Sequence, residues 1–238
     1  MQFTLAYTLA HSLGLGSVNN IQSQGLSPYT LRNLRLNYGP SPYDIRQVFR
    51  ANGTYDLPFG KNKRFLNQGG LVDAIVGSWT VGTITAIQTG NPATMSGFGY
   101  LTVTNADSGV NFNGITANDF QSTIKVQHTG NPYVLTFDPK YIGANGMANP
   151  AYLTPGTTPG VFGYRPVFYA PLWWNSDFSL TKSIPVHERW KMTLQGTAAN
   201  VFNHPTIGIG SLSLNSTSFG RATPGGTRRI ELRANIEF

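Results

Sequence analysis

From Arg229 to Phe238 apolar and polar residues alternate without a break, Ile230, Leu232, Ala234, Ile236 and Phe238 on one side and Arg229, Glu231, Arg233, Asn235 and Glu237 on the other. A strand has a side-chain period of two, so the segment presents one apolar face and one charged face. Its length is about the ten residues that a tilted strand needs to cross a bilayer. The same pattern fits an amphipathic strand of a soluble sandwich, so the rest of the chain has to decide between the two.

Five more stretches read as strands of similar length. Gln2 to Ser12 is the first. Arg46 to Leu57 sets Val48, Arg50, Asn52, Thr54 and Asp56 against Phe49, Ala51, Gly53, Tyr55 and Leu57. Trp174 to Ile184 sets Asn175, Asp177, Ser179 and Thr181 against Trp174, Phe178, Leu180 and Ile184. Arg189 to Phe202 sets Lys191, Thr193, Gln195 and Thr197 against Trp190, Met192, Leu194, Gly196 and Ala198. In each the apolar set suits lipid and the polar set a wet lumen. Gly77 to Thr89 is strand-rich, but Ile84 and Ala86 oppose Trp79, Val81 and Ile87, which leaves its register open. Leu71 to Val76 is the one stretch with a hint of helical period.

Connector lengths carry information, because bacterial barrels have short periplasmic turns and long outer loops. With Phe238 at the periplasmic rim, the long connectors Leu13 to Ile45, Pro92 to Trp173 and Phe202 to Thr227 fall outside, and Ile184 to Glu188 is a tight periplasmic hairpin. The Pro58 to Val76 connector breaks the rule, being long for a periplasmic turn. Long loops without structure are uncommon in soluble domains, so Leu13 to Ile45 and Pro92 to Trp173 favour a barrel with a binding-competent outer face.

Aromatic placement adds to this, since Trp and Tyr collect at membrane interfaces. Tyr55, Trp79, Trp190 and Phe238 are expected near the periplasmic interface, and Trp173, Trp174 and Phe202 near the outer one. The residues expected to face the lumen, as structural or plug-facing groups, are Arg50, Asp56, Asn175, Asp177, Lys191, Arg229, Glu231, Arg233 and Glu237. Lys182 would be a charge on a lipid face, close enough to the Ile184 turn to snorkel.

Composition supports a β-rich chain. Of the 238 residues only 11% are charged, about half the usual share, while Gly (27), Phe (14) and Tyr (11) are abundant. The mean hydropathy of -0.17 and the lack of a long apolar run exclude a helical membrane protein. Cys is absent, so disulfides, thiolate metal sites and a cysteine nucleophile are excluded. The net charge of +7 comes as scattered groups, Arg32 with Arg35, Lys61, Lys63 and Arg64, then Arg228 and Arg229. No stripe or nucleic-acid motif accompanies them, and nucleic acid is not an expected partner. Contact with anionic lipid head groups and plain loop solvation explain them equally well.

These readings add up to an all-β fold: an antiparallel, up-and-down transmembrane β-barrel segment of about six long strands with long extracellular loops. Six strands fall short of the roughly eight of the smallest bacterial barrels, and an open edge in lipid leaves backbone groups unpaired. The expectation is therefore an incomplete barrel, the C-terminal piece of a larger protein whose signal sequence lies upstream.

Four blocks carry a family resemblance. They are IRQVFRANGTYDLPFGKNKRFLN (Ile45 to Asn67), IVGSWTVGTITAIQTGNP (Ile75 to Pro92), WWNSDFSLTKSIPVHERWKMTLQGTAANVFNHPTIG (Trp173 to Gly208) and the terminal RRIELRANIEF. Together, and in this order, they resemble the C-terminal barrel of TonB-dependent outer-membrane receptors of the Oar-like group, with LPFGK and N-x-FNHP the most specific elements. The resemblance implies that residues 1–238 belong to a plugged barrel of about 22 strands, whose parent takes up or binds a substrate with TonB-coupled energy. The implied partners are outer-membrane lipid, the rest of the barrel and its plug, and the TonB complex. The plug, the TonB-interacting segment and the N-terminal domain are not in this sequence.

The sequence carries no recognisable catalytic or metal-binding motif. His11, His128, His187 and His204 stand far apart without metal-ligand spacing. Asn105 to Gly114 lacks a calcium-loop spacing, and Phe59 to Lys63 has a Gly-Lys pair without the rest of a phosphate loop. No G-x-S-x-G elbow supports an outer-membrane hydrolase. No cofactor or enzyme activity is expected, and the rival reading is a structural or adhesive surface β protein without a transport role.

Overall fold

A computed structural model describes residues 1–15, 33–67, 70–97, 109–158, 163, 165–187 and 190–237. Phe238, Arg32, residues 105–108 and the tip of the Ile184 to Glu188 hairpin lie outside the described residues. Six long strands form one antiparallel sheet in chain order: β1 (Gln2–Leu9), β2 (Gln47–Asp56), β3 (Trp79–Gln88), β4 (Trp173–His187), β5 (Trp190–Ala199) and β6 (Arg229–Glu237). This is an up-and-down meander, as the alternation requires, and it is not closed: β1 and β6 are its two edges.

Register sorts the side chains into two faces. Arg50 pairs with Ala6 and Ala86, Asp177 with Ile84, Ser179 with Thr197, and Gln195 with Arg233. Paired residues project to the same side, so one face carries the polar set across all six strands. On the other, Leu5 meets Ala51, Trp174 meets Ile87, Leu180 meets Val81, and Met192 meets Ile236. The same pairings settle the open register of the Gly77 to Thr89 segment: Ile84 and Ala86 fall on the polar face, Trp79, Val81 and Ile87 on the apolar one. Near its end β4 carries a β-bulge between Pro185 and His187, where proline's missing donor is tolerated.

The connectors at the upper end of the sheet do not follow the expectation of structureless loops. Residues from the β3–β4 and β5–β6 connectors pack into one cap with its own core of Met95, Val110, Phe120, Phe137, Tyr141, Leu153, Phe168, Leu212, Leu214 and Phe219. Val167–Tyr169 pairs with Pro92–Thr94 and forms a stem above β3 and β4. The strand Arg221–Ala222 pairs with Val134–Leu135, and Ser96 donates its amide to the Leu212 carbonyl and accepts the Leu214 amide, which laces the two connectors together. Turn-rich composition concealed this because the core positions are spaced irregularly, without a period of two or 3.6.

Phe120 is the centre of the cap. Its ring lies 4.8 Å from Phe137, 4.9 Å from Tyr141 and 4.7 Å from Phe168, tilted in each case, as aromatic quadrupoles favour. The short helix α2 (Ala117–Ser122) presents it, and was not expected from the sequence. A capping box starts α2: Thr116 Oγ1 accepts the Asp119 amide at 3.1 Å, and Asp119 Oδ2 accepts the Thr116 amide at 2.8 Å. Gly220, with φ of 76°, closes the other side of the core, where a Cβ would stand 2.6 Å from the Phe137 ring.

At the lower end, the Pro58 to Val76 connector is folded as well. It makes a turn around Phe59 and Phe65 and then the helix α1 (Gly70–Val76), close to the Leu71 to Val76 stretch with the helical hint.

Candidate functional site

The polar face of the sheet lines a trough of about 530 Å³ whose walls include Thr4, Asn52, Thr54, Ile84, Asp177, Ser179, Gln195 and Thr197. Gly82 lies at its floor, where a Cβ would come within 2.4 Å of Ser179 Oγ. Its lining sets hydroxyl and amide groups and the single carboxylate of Asp177 among apolar surface that includes Phe3, Ile84 and Phe178, so it is amphipathic and weakly charged. The reverse face of the sheet suits hydrocarbon.

All the residues expected on the polar side share that face. Arg50, Asp56, Asn175, Asp177, Lys191, Arg229, Glu231, Arg233 and Glu237 fall there by register. Along β6, Glu231 takes Arg229 at 2.5 Å and Arg233 at 3.7 Å, and Lys191 of β5 reaches Glu237 at 4.0 Å. Exposed pairs like these contribute little to stability, roughly 0–1 kcal/mol each, and serve to set the charge of the face. Asp56 accepts the Thr80 hydroxyl at 2.6 Å.

Asp177 has a structural task at the top of the sheet. Its Oδ1 accepts from Asn175 Nδ2 and from the Asn200 amide, both at 2.8 Å. Asn200 adopts a φ of 50° just past β5, and its side chain closes the turn that follows. Its Oδ1 accepts the His204 amide at 2.9 Å, while its Nδ2 donates to the carbonyls of His204 and Gly226. The N-x-FNHP block is thus a turn lock tying β5 to the start of β6, with the His204 ring stacked on Trp174 at 4.3 Å. Among the described residues no group of three or more His, Cys, Asp or Glu could hold a metal ion.

The aromatic residues separate by sheet end. Tyr55, Trp79 and Trp190 lie at the lower end; Trp174 and Phe202, 5.7 Å apart, lie at the upper end. Trp173 departs from the expected interface role: neighbouring strand residues point to opposite faces, and Trp173 pairs with Gln88 on the polar face, donating Nε1 to Thr206 Oγ1 at 3.1 Å. It seals the cap to the wall rather than facing outward with Trp174. Lys182 also differs from the snorkelling expectation. It is only 6% exposed, and its Nζ donates to the Gly77 carbonyl at 2.6 Å, 5.1 Å from the centre of the Trp79 ring.

A cluster around Asp44 was missed in the sequence. Its carboxylate is buried and accepts from Tyr169 Oη at 2.5 Å, the Ser12 amide at 2.7 Å and His11 Nδ1 at 3.0 Å, with Arg46 at 3.9 Å. Burial pushes its pKa up, but the bonds from Tyr169, Ser12 and His11 outweigh burial and hold it at about 2. The Tyr169 hydroxyl is pushed up to about 12 by burial and by the carboxylate it bonds. Asp44 thereby latches the β1–β2 connector to the cap stem, and Arg165 Nη1 donates to Asn37 Oδ1 at 3.0 Å to reinforce the joint. No local motif flags Asp44, because its partners lie up to 125 positions away.

An open sheet with one polar, concave face, one apolar face and long connectors gathered at one end is the wall of an outer-membrane-type β-barrel. Residues 1–231 match the family described as outer membrane beta barrel domain, and the chain belongs to that family. Its location is accordingly the outer membrane. No curated protein matches the chain.

Proposed function

We propose that the chain is the C-terminal wall of a TonB-dependent outer-membrane receptor of the Oar-like kind, whose parent binds or takes up a substrate with TonB-coupled energy. The observation that carries this is the trough spanning the sheet beneath a folded cap; on this reading the trough faces the lumen and the plug, and the cap faces the outside. The open edges at β1 and β6 support a wall completed by further strands, since unpaired backbone in lipid is costly. The LPFGK and N-x-FNHP blocks support the family reading because each builds a specific turn, around Gly60 with φ of 105° and around Asn200. No step of catalysis is assigned to the chain.

Sidedness is tested by a protease-site tag near Gly109 or Gly156, which should be cleaved on intact cells; protection would invert the orientation. Coupling is tested by removing TonB, which should abolish substrate accumulation by the parent while leaving surface binding. The compact cap also favours a second reading, an adhesive or structural surface protein. That reading gains if no solute accumulates with TonB present and surface attachment persists without it.

A further inference from the structure

The β2–β3 connector at the lower end is placed by contacts that neither the lumen nor the cap explains. Lys182 and Trp79 pair on the apolar face of the sheet. Their polar ends both turn to the C-terminal end of α1, Lys182 Nζ to the Gly77 carbonyl and Trp79 Nε1 to the Ile75 carbonyl at 2.8 Å. The C-terminal end of α1 therefore sits on the lipid side of the wall, at its rim. The preceding turn is fixed to the helix, since Asp73 Oδ1 accepts the Lys61 amide at 2.5 Å. Gly60 allows that approach, because a Cβ there would meet Asp73 Oδ1 and the Gly77 Cα.

The surface so positioned is apolar and basic together. Ile75 is 69% exposed, and Val72 on the same helix and Phe65 and Leu66 on the preceding turn are exposed too. Lys61, Lys63 and Arg64 are exposed on the turn, and among the described residues none of them is in an ion pair; Arg64 lies 5.4 Å from the centre of the Phe65 ring. The carboxylates of Asp73 and Asp56 already accept hydrogen bonds, from the Lys61 amide and the Thr80 hydroxyl. Apolar residues flanked by unpaired cations at a membrane rim match the chemistry of a phospholipid head-group layer, where side chains insert shallowly and cations meet phosphates.

We propose that this connector is an interfacial anchor that docks on anionic phospholipid at the end of the wall opposite the cap. The surface is continuous with the lipid-facing side of the sheet through Trp79 and Lys182, and its charge is complementary to phosphate. It accounts for a connector too long for a plain turn. The assignment of this end to the inner leaflet rests on the orientation proposed above; the docking itself rests only on the wall lying in a bilayer.

The test uses the barrel protein that carries this chain, reconstituted in vesicles of phosphatidylcholine with or without phosphatidylglycerol. An environment-sensitive fluorophore is attached after Ile75→Cys, with Leu232→Cys on the wall and Thr157→Cys on the cap as separate references. The label at position 75 should be quenched by head-group-depth nitroxide lipid about three-fold more than the label at position 157, and more strongly with anionic lipid. Combining Lys61→Gln, Lys63→Gln and Arg64→Gln should remove the anionic increment. Equal iodide quenching at positions 75 and 157, with no nitroxide quenching at 75, would overturn the anchor. So would a label at 75 shielded from iodide yet beyond reach of nitroxide lipid, which would identify a protein occupant. If the label at 232 also escaped lipid bearing a nitroxide in its acyl chain, the wall itself would be outside the bilayer and the membrane reading would fall first.

Discussion

Phe120 in the cap is fully buried among Phe137, Tyr141 and Phe168, whereas Leu232 in β6 and Phe3 in β1 are 84% and 64% exposed. Both regions are β-rich and turn-rich, and they come from one chain. The cap must fold in water, so it gathers its apolar side chains into a core, each buried aromatic contributing about 1.5–3 kcal/mol. The wall gathers none: the members of the buried core all belong to the cap. Its apolar side chains project outward, where hydrocarbon takes the place of a core, and its polar side chains line the trough. The lesson is that the solvent each region meets, rather than its strand content, sets the arrangement of its side chains.

That contrast can be broken most forcefully from the cap. Phe120→Ala should cost about 3–5 kcal/mol, enough to open the cap to protease while the wall keeps its resistance to heat and detergent. Joint loss of both on a gel-shift assay would show that cap and wall fold as one unit. From the wall side, Leu232→Arg should cost about 2–4 kcal/mol if it sits near the bilayer midplane, and Gln195→Arg on the polar face much less. Folding titrations in lipid vesicles measure both, and equal penalties would erase the distinction between the faces.

The joint between the two regions is sharpened by Asp44. Asp44→Asn should weaken the latch by about 1.5–3 kcal/mol, read as faster hydrogen exchange in the β1–β2 connector and the Val167–Tyr169 stem with the wall unchanged. Because the folded pKa of Asp44 is depressed to about 2 from an ordinary 3.8, its stabilisation is complete above about pH 4 and is lost as pH falls towards 2. A latch that tightened on acidification would contradict this. Smallest of all, Thr116→Ala removes the cap of α2 and should cost about 1 kcal/mol, confined to protection of Ala117–Ser122.

The wall was legible from the chain because lipid and lumen impose a local rule. Each strand must alternate by itself, so Arg229 to Glu237 declares its two faces without reference to any partner. The exception shows the limit of the rule. Gly77 to Thr89 carries Ile84 on the polar face, and only pairing with Asn52 and Asp177 reveals it. The capping box Thr116 to Asp119 was a readable signal for α2, but a helix of six residues gives no sustained period. Trp173 and Trp174 looked alike as rim aromatics, and a one-residue shift on a strand sends them to opposite sides.

By itself the sequence determined that this is an antiparallel meander of six long strands with an amphipathic cross-section, because period-two patterning acts residue by residue. Tertiary structure alone decided that two irregular connectors share one aromatic core, that Asp44 latches a third connector to their stem, and that α1 rests against Lys182 and Trp79 on the apolar side. Those contacts join residues far apart in the chain, and their energy depends on packing and shared hydrogen bonds that no local pattern records.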